Sequence, residues 1–277
     1  MRKAFAAIIV LSLLSTAAAQ AAGESAFDRV MRTGTLHCGF IPWPPGFDVD
    51  VVTGAAKGPA KELFESIIKL AGWKVQFVQM ALGDNAQDLN NGKIDAVCAD
   101  GPWTIARIKF VDYTTPAAYT PVMVYVRAGE KRFHGYSDLD NAKVTLVGID
   151  GDISTDLALL RFPKAKLHTL SNLTDPSQML IDVADGKEDA VILDPVTADH
   201  YMRNNPGKIR MLTPQALAVY PVEMSVRRGE TQLQQTLDRA TEMASNIGLI
   251  DKMLLNYDPL SRKYLYAPLK TYSVPGK

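Results

Sequence analysis

Gly92-Lys93-Ile94-Asp95-Ala96-Val97 comes again later in the chain as Gly186-Lys187-Glu188-Asp189-Ala190-Val191. In both copies a glycine closes a helical stretch and an aspartate opens a short buried apolar run, 94–99 and 189–193. Working outward, the same order of elements surrounds each copy. The first has a strand over 35–40, a helix opening at Pro59 with Leu63, Ile67, Ile68 and Ala71 on its apolar face, an alternating strand over 74–79 and a short helix over 84–91. The second has a strand over 143–149, a helix over 154–162, a strand over 166–170, a helix from Asp175-Pro176-Ser177 to Ala184, the run at 189–193, a helix opening at Pro195 and a strand over 209–212. Extended segments at 121–127 and 222–228 join the halves, and helices over 231–246 and 249–256 close the chain. Alternation of strand and helix predicts an α/β fold of two lobes. Each is a mostly parallel sheet flanked by helices, joined by two extended crossings, with a cleft at the carboxyl ends of both sheets.

The 277 residues carry 30 basic and 30 acidic side chains, and 22% of them are charged. That composition excludes a disordered chain or a rod, and the balanced charge argues against nucleic acid as partner. Met1-Arg2-Lys3, the apolar stretch 4–14 and Ala19-Gln20-Ala21 read as a secretory signal peptide cut after Ala21. The apolar stretch is too short for a stable anchor, so a mature chain that is exported, periplasmic and soluble is expected. The expected divisions are 1–21 signal peptide, 22–127 first lobe, 128–219 second lobe and 220–277 returning to the first. Export puts Cys38 and Cys98 in an oxidising compartment, where they form one disulfide or remain two buried thiols.

The chain resembles the extracellular solute-binding proteins of family 3, the amino-acid-type receptors of ABC importers. The resemblance rests on Gly34-Thr35-Leu36, on Thr53-Gly54 to Gly58 with Glu62, on Gly92 to Ala96 followed by Thr104, Arg107, Val111-Asp112-Tyr113 and Pro116, and on Gly186 to Asp194. It implies a periplasmic-binding-protein type II fold that captures an amino acid or related small carboxylate or zwitterion between its lobes. It also implies a membrane permease as partner, a monomer, ligand-induced closure, and neither catalysis nor a cofactor or metal.

The same resemblance assigns site residues. Arg107 stands where the family holds the ligand's carboxylate, a task suited to a guanidinium fork; the alternative is a surface arginine. Asp194 stands where the family holds the α-ammonium; before Pro195 it also reads as a helix cap. The turn carrying Asp152, Ile153 and Ser154 replaces a Gly-Thr-Thr whose backbone amides receive an anion. Ser154 either substitutes as a hydroxyl donor or simply caps the helix. Pro102, unlike the serine or threonine usual there, donates nothing, which alters the expected carboxylate grip. Trp43 and Trp103 either face the cleft, stacking on a flat ligand or a cation, or pack at loop bases. The first loop lacks the acid that basic-amino-acid receptors use there, which disfavours a cationic side chain, although Asp48 and Asp50 lie further along.

Enzyme signatures are weak. There is no G-x-S-x-G and no phosphate loop, and His37, His134, His168 and His200 are scattered without metal-ligand spacing. The scaffold also hosts lyases of the cyclohexadienyl dehydratase type, which is the alternative function.

Overall fold

A computed structural model describes residues 24–101, 104, 107–257 and 265–270. The expected signal peptide, Pro102 and Trp103 lie outside the described residues. Helix α1 (Ala26–Thr33) precedes strand β1 (Thr35–Phe40), a small hairpin β2 (Asp48–Val49) and β3 (Ala56–Lys57), helix α2 (Pro59–Leu70), β4 (Lys74–Gln79), α3 (Asn85–Asn90), β5 (Ala96–Asp100) and β6 (Val111–Tyr113). The long β7 (Ala118–Arg127) leads to β8 (Thr145–Ile149), α4 (Ile153–Arg161), β9 (Lys166–Leu170), α5 (Ser177–Ala184), β10 (Ala190–Leu193), α6 (Pro195–Asn204) and β11 (Ile209–Met211). The long β12 (Ala218–Arg227) returns to α7 (Thr231–Asn246) and α8 (Leu249–Tyr257).

Ladder hydrogen bonds run β4-β1-β5-β12-β7-β10-β8-β9, with β6 on β12 and β11 on β7. The pairs β1/β4, β1/β5, β8/β9 and β8/β10 are parallel. The two long strands run antiparallel to their neighbours, and each changes partner midway. Ala118–Val122 pair with Ala218–Val222, after which β7 pairs with β10 and β11 while β12 pairs with β5 and β6. The crossings therefore break near Val122–Met123 and Val222–Glu223. The expected lobe division at 127/128 falls beyond this break, where β7 is still paired, with Arg127 opposite Ile209. Gly101, just past β5, lies so close to the second crossing that a Cβ would come within 2.3 Å of the Pro221 carbonyl oxygen.

The cores divide the same way. One joins Leu36, Cys38, Phe64, Ile67 and Cys98 to Met224, Leu233 and Leu237. Two others, on either side of the β7–β10–β8 sheet, hold Val122, Val124, Leu146 and Ile192, and Tyr125, Ile149, Met179 and Val191. Complete burial of such side chains stabilises each by about 1.5–3 kcal/mol. β7 therefore enters the second lobe before residue 127.

The repeated hexapeptide has a structural cause. Lys93 pairs with Asp88 at 2.7 Å and Lys187 with Asp182 at 2.8 Å, each lysine reaching back to the preceding helix. Asp95 accepts the His37 amide at 2.8 Å and pairs with Arg29. Asp189 accepts the Thr145 amide at 3.0 Å and pairs with Arg132. Each copy thus ties its strand to the start of a neighbouring parallel strand. Cys38 and Cys98 form a disulfide with Cα atoms 5.7 Å apart, joining β1 to β5. No helix among the described residues is long and apolar enough to cross a membrane.

Candidate functional site

A cavity of about 660 Å³ lies where the crossings meet, walled by both lobes. The first lobe contributes Ile41, Pro42, Trp43 and Phe47 from the proline-rich loop, Gln79, Met80, Ala81 and Leu82 after β4, and Ala99 and Gly101 at the tip of β5. The crossings add Thr120, Val122 and Val222. The second lobe contributes Asp152 and Ile153 from α4, residues 172–176 before α5, and Ile192, Leu193, Asp194 and Thr197 around the start of α6. An apolar enclosure with a few convergent polar groups is the usual form of a small-molecule site. Ala99 has φ of 54°, a left-handed conformation uncommon outside glycine, so backbone strain is stored in the cavity wall.

Asp194 both caps a helix and faces the cavity. As N-cap of α6 its Oδ1 accepts the Thr197 amide and its Oδ2 the Thr197 hydroxyl, both at 2.9 Å. It also lines the cavity. Burial pushes the Asp194 carboxyl up from its ordinary value, while the Thr197 amide and hydroxyl and the Trp43 indole act to lower it. Trp43 lines the same cavity from the first lobe, facing the second lobe's Asp194.

Arg107 sits elsewhere. It is buried, its Nε donates to Thr104 Oγ1 at 3.1 Å and its Nη2 to the Gly151 carbonyl at 3.4 Å, and it does not line the cavity. The expected carboxylate anchor is thus joined to the second lobe's turn. Ser154 is also off the wall: it is fully buried, and its Oγ accepts the Ile149 amide at 3.4 Å and lies 4.0 Å from the Met179 sulfur. Its amide is taken by Asp152 Oδ1 at 2.8 Å. The expected open amide at the start of α4 is therefore closed by the chain's own carboxylate, because aspartate is a strong N-cap. Asp152 and Ile153 do line the cavity. Asp48 and Asp50 are used locally: Asp48 pairs with Lys57 at 3.6 Å, and Asp50 Oδ1 accepts the Thr53 amide at 2.8 Å.

Sequence reasoning missed the rest of the wall. Asn172 Nδ2 donates to the Leu82 carbonyl at 2.9 Å, a second bond across the cleft. Asp175 Oδ1 accepts the Ser177 amide at 2.8 Å and hydroxyl at 2.6 Å. The Asp-Pro-Ser signal at 175–177 marks a helix start, but nothing in it shows that the start opens onto the cleft. Among the described residues no group of three or more His, Cys, Asp or Glu is arranged to hold a metal ion.

Comparison with known proteins agrees with this architecture. The family profile described as bacterial extracellular solute-binding proteins, family 3, matches residues 36–258. A probable histidine-binding protein of Neisseria gonorrhoeae is 24% identical over 275 residues, covering 93% of this chain and 96% of that protein. The virulence sensor protein BvgS of Bordetella pertussis is 29% identical over 142 residues, 51% of this chain; the match spans only 11% of that much longer protein. The crystal structure of the ancestral amino acid-binding protein AncCDT-1, a precursor of cyclohexadienyl dehydratase, superposes with a TM-score of 0.72 at 24% identity, covering 84% of this chain and 99% of that one.

Proposed function

Since the chain belongs to the bacterial extracellular solute-binding proteins of family 3, we propose that it captures a small amino-acid-like solute between its lobes and hands it to the membrane permease of an ABC importer. In this reading a signal peptide over 1–21 is removed and the mature chain is a periplasmic monomer that binds without turnover. The observation that carries it is the cavity of about 660 Å³, to which both lobes contribute, Trp43 from the first and Asp194 from the second.

The mechanism follows from where the groups sit. Asp194 belongs to the second lobe and receives the solute's ammonium group, while the Trp43 ring of the first lobe covers it. A solute touching both is held fully only when the lobes are together. It therefore binds the closed form better and shifts the population toward it. The permease would then recognise the closed pair.

A thermal-shift screen of amino acids, small carboxylates and amines tests this. A ligand that binds only the folded form, at a hundredfold excess over Kd, adds about 2.7 kcal/mol of stability. At least one class should raise the melting temperature with one-to-one stoichiometry. No shift with any class would overturn solute capture, and conversion of a prephenate-like substrate to product would replace it with the lyase reading.

A further inference from the structure

The solute-capture reading is the premise here, and the question is the sign of the group that the second lobe receives. Helices α4, α5 and α6 all begin at the cavity. An open helix N-terminus presents unpaired amides and a partial positive charge, and so suits an anion. Here an aspartate of the chain takes one amide at each start. Asp152 takes the Ser154 amide, Asp175 the Ser177 amide and hydroxyl, and Asp194 the Thr197 amide and hydroxyl. A carboxylate offers about four acceptor positions, so each retains capacity for a donor. The wall suited by its helices to an anion therefore carries three carboxylates, with Asp175 exposed at the rim and Asp152 and Asp194 half-buried.

Little on the wall opposes them. Lys93 is the lining cation among the described residues; it is exposed and paired with Asp88 at 2.7 Å. Arg107 is off the wall, with Nη2 on the Gly151 carbonyl. The facing wall supplies Trp43, Phe47, Met80 and Ile41, an apolar surface with an indole. Carboxylates on one side and an indole on the other suit an organic cation, whose charge pairs with the acids and whose stem or flat group lies on the ring.

We infer that the cavity takes a cationic solute, an amine or guanidinium on a short chain, and that Asp152 occupies the α4 start in place of a solute carboxylate. This reverses the expectation that a cationic group is disfavoured. The aspartates do not by themselves make the site; the two-lobed cavity does, and they set its sign.

Calorimetry on the full mature chain tests this with 1,5-diaminopentane, lysine and norleucine, which share a chain and differ in charged ends. The diamine should bind at least tenfold more tightly than norleucine and no more weakly than lysine. Asp152→Asn, which keeps an N-cap and removes the charge, should weaken the diamine about tenfold, a change of about 1.4 kcal/mol, and shift the lysine-to-diamine ratio toward lysine. An unchanged ratio in a variant shown by circular dichroism to be folded would overturn the role of Asp152. Norleucine or another neutral amino acid binding tenfold more tightly than the diamine would overturn the cationic assignment and leave solute capture standing. Failure of the three probes and of the wider screen would remove both.

Discussion

Trp43 of the first lobe and Asp194, the N-cap of α6 in the second, line one cavity from opposite lobes. A residue that starts a helix thereby also forms part of the cavity wall. The cost is a carboxylate held partly out of water, and burial raises its pKa. For an acid whose folded pKa lies above its unfolded value, stability is greatest below the unfolded value and falls as pH rises through the folded one.

Asp194→Asn should therefore make the ligand-free protein more stable than wild type at neutral pH, since asparagine caps as well and carries no charge. The gain should shrink at about pH 4, where the wild-type carboxyl is protonated more fully. Amine affinity should fall at least tenfold in the same variant. Melting curves at the two pH values and one titration check both parts, and a variant that keeps amine affinity would contradict the role of Asp194.

Arg107→Ala removes the bond to Gly151, one of the contacts across the cleft. One net hydrogen bond is about 1 kcal/mol, so affinity should fall about fivefold for lysine and for 1,5-diaminopentane alike. Selective loss of lysine binding would return Arg107 to the carboxylate role.

The disulfide between Cys38 and Cys98 closes a loop of 60 residues. By the chain-entropy estimate it contributes about 4 kcal/mol, so the Cys38→Ser, Cys98→Ser double variant should lose about that much unfolding free energy, read as a lower denaturant midpoint. Intact-mass measurement of unreduced protein should find about two hydrogens fewer than the dithiol, and two alkylatable thiols would contradict the bond.

Glu130 sits beside Arg132 and Arg127, and its carboxyl is held down to about 2 by hydrogen bonding to Arg132 against an opposing burial effect. A lowered folded pKa means stability that is present above the unfolded value of 4.5 and lost as pH falls toward 2. Glu130→Gln should lose about 1 kcal/mol at neutral pH, since Arg132 is exposed and screened, and should flatten the acid limb of the stability curve over that window. Urea melts from neutral to acid pH measure this, and parallel acid limbs in the two proteins would contradict it.

Much of this architecture is legible in the sequence, and the reasons are local. Helix α7 begins and ends where the apolar spacing places it, and Gly72, Gly92 and Gly186 close their helices by adopting positive φ. The repeated Gly-Lys-x-Asp-Ala-Val marks two equivalent strands because lysine and aspartate make the same ties in each. Less legible is what depends on where elements meet. The hairpin at Asp48 and Ala56 and the short β6 have too few residues to declare a period. The partner exchange along β7 and β12 is not legible, since it falls inside one unbroken extended run of each strand. At the α4 turn the contacts depend on the folded geometry: Asp152 Oδ1 takes the Ser154 amide, and the Ser154 hydroxyl turns inward to the Ile149 amide.

We propose that a solute brings the lobes together about the crossings that change partner at Val122–Met123 and Val222–Glu223. Small-angle scattering, titrated with the solute that gives the largest thermal shift, measures this directly. The radius of gyration should fall saturably with one equivalent of solute and should not fall in Asp194→Ala at the same concentrations. An unchanged radius in saturated wild-type protein would contradict it.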